Sequence, residues 1–472
     1  MILDEAFEAF REAPSRAAVT EGPDSWTWAE FVESVARTAR DLDGGSTDGP
    51  VGILLRSGSR YLSSFLAITT LGRPACTLHP DWADRELEAA ITDAGITEVI
   101  TDRTDLPVDV GAAQPGPGAR DRDGDDPVFY IGITSGTSGR PKPFARRERS
   151  WTSSFGPAGE LFEVNRGDQV FLPGSLQHSH FLFGAVFALN RGASVRLFDR
   201  FDAARLASEL ADTSRGVLYL VPTMLIALNE LEGEPFGGVH SVVVSGAKME
   251  SHHWEIVRRL FPDALVCEIF GASELSFVTV NTRGERPGDP GYVGEPFPGV
   301  ELEIRTPGDE AEDEPGLVYV RSPYLFDGYL EGSETNSPVG ADGFMTVGDM
   351  GFLTDEGLSL AGRASNLIIT GGKNVHPEEI EAQVTDHPAV AECVAVGVPH
   401  PRWGEEIVAF VVTSGTGAGP DADSLRNFLR PRVASYRIPK RWFIVDELPQ
   451  TRAGKTDRSQ VRLFEDAIEL GP

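Results

Sequence analysis

The densest chemistry in the chain lies between Tyr130 and Lys142, in the string YIGITSGTSGRPK. An apolar run that reads as a buried strand breaks into hydroxyl residues and glycines and closes on a lysine. Gly136 and Gly139 permit a tight turn that brings backbone N–H groups close to an anion. Thr134, Ser135, Thr137 and Ser138 add hydroxyl donors, and Lys142 brings an ammonium on a flexible stem to neutralise phosphate charge. Together these residues describe a phosphate cradle. It is not the common nucleotide loop, which requires glycine, four residues and then Gly-Lys-Ser/Thr. At Gly454-Lys455-Thr456 the place of the first glycine is taken by Pro449.

TSGTSGRPK resembles the phosphate-loop signature of the acyl-adenylate-forming enzymes, the group that includes acyl-CoA synthetases, luciferases and peptide-synthetase adenylation domains. Further motifs follow in that family's order. Phe270-Gly271-Ala272-Ser273-Glu274 is similar to the family's Tyr-Gly-x-Thr-Glu. The resemblance implies that Phe270 stacks on adenine, Ser273 meets phosphate and Glu274 holds Mg²⁺, a hard cation that takes oxygen ligands. Ser245-Gly246-Ala247-Lys248 resembles the glycine-rich segment beside adenine and the acyl pocket. Val347-Gly348-Asp349 and Gly362-Arg363 resemble the family's Thr-Gly-Asp and Gly-Arg, which implies that Asp349 and Arg363 meet the ribose hydroxyls. LPQTRAGKTDR matches Pro-x-x-x-x-Gly-Lys-x-x-Arg at Pro449, Gly454, Lys455 and Arg458. The match makes Lys455 the expected catalytic lysine for adenylation, with Glu274 and Thr134 beside it. His178 matches the family's pocket histidine, with His180 as a competing match. Phe181, Gly246, Ala247 and Phe277 are expected to complete an apolar acyl pocket. Four positions depart from the family pattern: Pro143 follows the phosphate-loop lysine in place of glycine, Phe270 and Ser273 replace Tyr and Thr, and Ser365 stands where Asp or Lys is commoner.

The elements that must position these residues alternate. Residues 1 to 106 pair helix-like FVESVARTARDL, YLSSFLAITTLG and ELEAAITDAG with strand-like VGILLR and ITEVITD. Beyond the phosphate loop, QVFLPG, ASVRLF, GVLYLVP and HSVVVSG read as strands, separated by helical FLFGAVFALN, DAARLASELAD and HWEIVRRLF. This alternation predicts an α/β fold with a largely parallel sheet. Pro107 to Pro127 reads as a solvated connector. ELEIRT, GLVYVRS and LSLAG predict a small β-rich subdomain, and the chain beyond Arg363 predicts a compact α+β domain. The expected organisation is an N-terminal adenylate-forming domain over 1–364, carrying the ATP and acyl sites, and a mobile C-terminal domain over 365–472, carrying Lys455. The resemblance implies a hinge at Ser365 and a thiol tunnel lined by Gly371 and Gly372.

Composition narrows the partners. The chain of 472 residues is 40% hydrophobic and 24% charged, with a net charge of −30. Such a charge argues against a nucleic-acid backbone or an anionic membrane surface as partner. No leader and no apolar run long enough for a span is read, so a cytoplasmic location is expected. Cys76, Cys267 and Cys393 are widely spaced and read as reduced thiols. Lysine is rare, confined to positions 142, 248, 373, 440 and 455. In the peptide-synthetase branch of the family that the chain resembles, an aspartate after the strand preceding the pocket helix meets the substrate ammonium; GSLQHSHFLFG offers no carboxylate, so an amino-acid substrate is not expected. The resemblance implies as substrates a small aliphatic or aryl carboxylic acid, ATP with Mg²⁺, and coenzyme A. An acyl carrier protein is the alternative thiol acceptor, and a catalytically inactive binding homologue is the alternative from another class.

Overall fold

The computed structural model describes residues 10–43, 49–103, 106, 126–135, 141–231, 233–286, 289, 291–306, 314–331, 334–370, 373–400, 403–415, 419–433, 435–450, 456–461 and 468–470. The chain forms two compact units, one of residues 1–284, 294–301 and 320–345, the other of 285–293, 302–319 and 346–472.

The first unit is layered α/β, as the alternation predicts. Strands Gln169–Leu172, Ser194–Leu197, Gly216–Leu220, Val239–Val244 and Leu265–Ala272 pair in parallel. Ser276–Asn281 then returns antiparallel along the last of them. Gly216–Leu220 is buried at every position, the mark of a strand covered on both faces. The helix Ser179–Asn190 is apolar all round, and it is buried from Phe181 to Asn190. By contrast, Ala203–Ala211 turns only Leu206 and Leu210 inward, and its N-terminus is capped by Asp202, which accepts from Arg205 N at 3.0 Å. A second sheet runs in the order Glu334–Asn336, Gly328–Glu331, Pro141–Arg147, Val128–Ser135, Ala75–Thr77, Val51–Leu54 and Glu98–Thr101. It rests on a cluster of rings from Phe65, Phe129, Tyr130 and Trp151, with centroids 5.2 to 6.3 Å apart.

The second unit holds the antiparallel strands Asp349–Thr354 and Gly357–Arg363, with Gly316 and Leu317 paired along the edge of the first of them. After the short turn Ala364–Asn366 comes a separate sheet whose long hairpin, Val390–His400 with Gly404–Thr413, packs under helices Pro377–Thr385 and Ala422–Leu429. Ile380, Val384, Leu425, Leu429 and Trp442 fill its core. The connector expected over 107–127 lies almost wholly outside the described residues. No described helix is long and apolar enough to cross a membrane.

Candidate active site

Val128–Ser135 and Pro141–Arg147 form one antiparallel pair, with Thr134 opposite Lys142. Thr134 Oγ1 donates to Lys142 O at 3.4 Å. Paired strands therefore flank the expected cradle, and Lys142 is the second residue of the returning strand despite its neighbouring prolines. Gly132 makes the pairing possible, because a Cβ there would lie 2.2 Å from the Phe144 ring. Gly136, Thr137, Ser138 and Gly139 lie outside the described residues, as does the Ser135 side chain.

The Glu274 turn joins Leu265–Ala272 to Ser276–Asn281. Gly271 admits no side chain, since a Cβ would meet Ser276 O at 1.9 Å. Ser273 Oγ lies 3.3 Å from Ser179 Oγ, which ties the turn to the start of the buried helix. Glu274 Oε1 accepts from the Tyr329 hydroxyl at 2.8 Å, and the Tyr329 ring lies 5.9 Å from Lys142 Nζ. Arg146, only 1% exposed, donates through Nε and Nη2 to Ser273 O at 3.2 and 2.7 Å. Neither Tyr329 nor Arg146 is singled out by the sequence. Both sit in ordinary strand positions, and their partners lie far away in the chain.

Phe270 and Gly271 lie at the carboxyl end of the strand Leu265–Ala272 with Ser273 and Glu274 just past it, and Gly246 and Ala247 follow Val239–Val244. This is the carboxyl edge where α/β sheets bind ligands. Gly246 takes φ +91°, a left-handed value suited to glycine. The proposed pocket residues divide. His178 and Phe181 belong to the entry of the buried helix, where the Phe181 ring covers Gly174 so closely that a Cβ would lie 2.0 Å from it. Phe277 joins a different group, stacked on Phe297 at 4.6 Å and edge-on to Phe183 at 5.0 Å. Phe183 extends the aromatic wall from the buried helix to Phe277.

His180 lies between the rings of Phe181 and Tyr219, with centroids 4.9 and 5.2 Å away, and its Nε2 is buried without a partner. Burial pushes its pKa down from 6.5 to about 4. The folded-state value lies below the unfolded one, so the unfolded chain takes up a proton that the folded chain refuses as the pH falls through 6.5. Stability is therefore lost between about pH 6.5 and 4, by roughly 3 kcal/mol from this residue. His180→Asn is expected to flatten the dependence of unfolding free energy on pH over this window by up to about 1.4 kcal/mol per pH unit. Urea titrations at a series of pH values read the slope directly. An unchanged slope would mean that His180 is protonated in the folded protein.

In the second unit Asp349 and Arg363 face each other in register, and Arg363 Nε donates to Asp349 Oδ1 at 2.9 Å. Asp349 is 7% exposed. Gly362 takes φ +140° beneath Glu378, whose carboxylate would lie 2.3 Å from any Cβ there. The turn that follows is tied down by Ala364 N to Gly348 O at 2.8 Å and by Asn366 Nδ2 to Glu378 Oε1 at 2.7 Å. The Ser365 side chain and Gly371 and Gly372 lie outside the described residues. Lys455 and Gly454 do too, but the ends of their loop are pinned. Gln450 pairs with Thr456 in an antiparallel bridge, and Asp457 N donates to Pro449 O at 2.7 Å. Arg458 then grips Glu381 through both Nη atoms, at 2.5 and 2.6 Å, and approaches Glu378 at 3.5 Å.

Among the described residues no group of three His, Cys, Asp or Glu side chains could hold a metal by itself. A single carboxylate oxygen at Glu274 suits Mg²⁺, which keeps waters and substrate phosphates as its other ligands.

The AMP-binding enzyme model matches residues 6–330, and the AMP-binding enzyme C-terminal domain model matches residues 379–455. The chain belongs to this family of acyl-adenylate-forming enzymes. It is 34% identical to the uncharacterized acyl-CoA ligase YhfT of Bacillus subtilis (strain 168), over 95% of each chain. It is 30% identical to the 2-succinylbenzoate–CoA ligase of Bacillus licheniformis, over 71% of this chain and 70% of that one. Its fold superposes on ATP-bound MatB from Rhodopseudomonas palustris with a TM-score of 0.85 and 26% identity, over 98% of this chain and 99% of that one.

Proposed function

We propose that this protein is an AMP-forming acid–thiol ligase that makes an acyl- or aryl-CoA. In the first half-reaction a substrate carboxylate oxygen attacks the α-phosphorus of ATP and pyrophosphate leaves, giving acyl-AMP. In the second the thiolate of coenzyme A attacks the acyl carbon and AMP leaves. The observation that carries this reading is the convergence within one unit of the phosphate-loop stem, with Thr134 opposite Lys142, and the Glu274 carboxylate, both touching Tyr329. Relatives that are CoA ligases support it.

Each residue then has a task. The phosphate loop, from Thr134 to Gly139, and Lys142 hold the phosphates. Glu274 would hold Mg²⁺, which when bound neutralises the charge on the phosphates. Phe270 and Gly246 flank adenine, and the facing pair Asp349 and Arg363 meets the ribose. Lys455 stabilises charge at the α-phosphate. His178, Phe181 and Phe277, continued by Phe183, give an apolar wall that favours an aliphatic or aryl acid. Ser365 is the hinge of a C-terminal domain beginning there, and Gly371 and Gly372 border the thiol's path. A reaction that draws on ATP and coenzyme A belongs in the cytoplasm.

The test is a pyrophosphate-release screen across carboxylic acids, repeated with coenzyme A and with a phosphopantetheinylated carrier protein and read by mass spectrometry. The expected products are pyrophosphate and an acyl-CoA. Acylated carrier without acyl-CoA would reassign the acceptor, and no pyrophosphate with any acid would overturn the reaction itself.

A further inference from the structure

Glu274 sits on a tight turn, and a glutamate side chain alone has three rotatable bonds with which to miss a cation. The structure removes that freedom from two directions. From behind, the buried Arg146 guanidinium spends two of its donors on Ser273 O and a third nitrogen on Tyr324 O at 2.9 Å and Ser150 Oγ at 3.1 Å. Among the described residues no carboxylate pairs with it. A buried cation that serves only carbonyl and hydroxyl oxygens is an expensive way to hold a loop, and burial drives its pKa down to about 10. Its compensation is that one rigid fork fixes three separate segments, which a lysine cannot do.

From the front, the segment after Tyr324 closes over the turn. Phe326 N donates to Glu274 O at 2.9 Å, which fixes the backbone, and the Tyr329 hydroxyl donates to Glu274 Oε1 at 2.8 Å, which fixes the carboxylate. The hydroxyl occupies one acceptor site and leaves the rest of the carboxylate open to a cation. The Phe326 ring stands edge-on to the Tyr329 ring at 5.0 Å and holds it in place. The same Tyr329 ring lies beneath the Lys142 ammonium, so one side chain touches both the phosphate-loop lysine and the carboxylate.

We propose that Tyr329 and Arg146 are positioning residues that aim Glu274 at the metal of a bound Mg²⁺–ATP, Arg146 through the Ser273 carbonyl and Tyr329 through the carboxylate itself. The inference rests on the functional reading above. The test is calorimetric titration of ATP at a series of Mg²⁺ concentrations, which reads binding without turnover. Tyr329→Phe keeps the ring over Lys142 and loses only the hydroxyl. It is expected to raise the Mg²⁺ needed for half-maximal ATP binding by about tenfold or more, with ATP affinity in EDTA unchanged. In a Glu274→Gln background the same change is expected to add nothing, because the two residues act on one ligand. Arg146→Lys keeps the charge but cannot reach all its acceptors, and it is expected to raise the Mg²⁺ requirement in the same non-additive way. A Tyr329→Phe protein with the parental Mg²⁺ requirement overturns the role of Tyr329. An Arg146→Lys protein that melts lower but keeps that requirement overturns the role of Arg146. A parent protein that shows no Mg²⁺-dependent ATP binding overturns the functional reading, and this inference with it.

Discussion

Lys455→Ala is expected to lower acyl-AMP formation by at least about 100-fold, the scale of losing one preorganised donor at a site of developing charge, while thioester formation from supplied acyl-AMP survives. Attack on the α-phosphorus spreads negative charge over the incoming carboxylate, the phosphoryl oxygens and the departing pyrophosphate. An ammonium about 4 Å away gains roughly 4 kcal/mol at an effective dielectric near 20. Alanine forfeits this. The pinned ends of the loop strengthen the expectation: the Gln450–Thr456 bridge and the bond from Asp457 N to Pro449 O fix where the loop leaves and rejoins the domain. With both ends of the loop held, the substitution should remove charge without moving the fold. Pyrophosphate exchange reads the first half-reaction, and acyl-CoA from synthetic acyl-AMP reads the second. Equal losses in both, in a folded variant, would show that the lysine serves the fold or substrate binding in general.

Arg458→Met is expected to destabilise the second unit by about 1.5 to 3 kcal/mol, the scale of losing charged hydrogen bonds at a half-buried ion pair whose side chains are 24% and 15% exposed. Glu381 accepts both Nη atoms of Arg458 and also the Ala395 N–H at 2.6 Å, and Arg458 Nη1 returns to Ala395 O at 2.8 Å. Burial pushes the Glu381 carboxyl above its usual range even with the arginine present. Without it, a largely desolvated carboxylate stays behind with one backbone donor. The control is Arg458→Met combined with Glu381→Leu, which removes the stranded charge and should recover most of the loss. Urea denaturation of the parent, the single and the double variant decides the matter. A single variant within about 1 kcal/mol of the parent would mean that water reaches the pair freely.

What the sequence reveals, and what it hides, follows from how each feature is encoded. Elements with their own period, such as the buried strand GVLYL and the amphipathic AARLASELA, are legible because burial selects residue type position by position. Pro222–Asn229 hides because PTMLIALN continues the apolar run of the strand before it, and no polar face announces a helix. Arg149–Leu161 hides behind Gly156 and Pro157, which read as breakers although the helix carries Pro157 within it. Pro141–Arg147 hides for a similar reason, since two prolines argue against a strand that in fact pairs on both sides. The motif residues are legible because their types and spacings follow the signatures of the family to which the chain belongs. Arg146 and Tyr329 are not, because their partners lie far off in sequence and meet them only once the strands have taken their register.

The helix Pro377–Thr385 carries Glu378 and Glu381 on one face, one bonded to Asn366 in the turn after Arg363 and the other to Arg458 at the foot of the lysine loop. Asn366, Glu378, Arg458 and Glu381 thus form a linkage joined through one helix. In the rotation proposed about Ser365, torque entering at the turn would reach the foot of the Lys455 loop through that helix, as through a crank. Breaking a joint would then be felt twice, in the stability of the domain and in the transmission of that rotation.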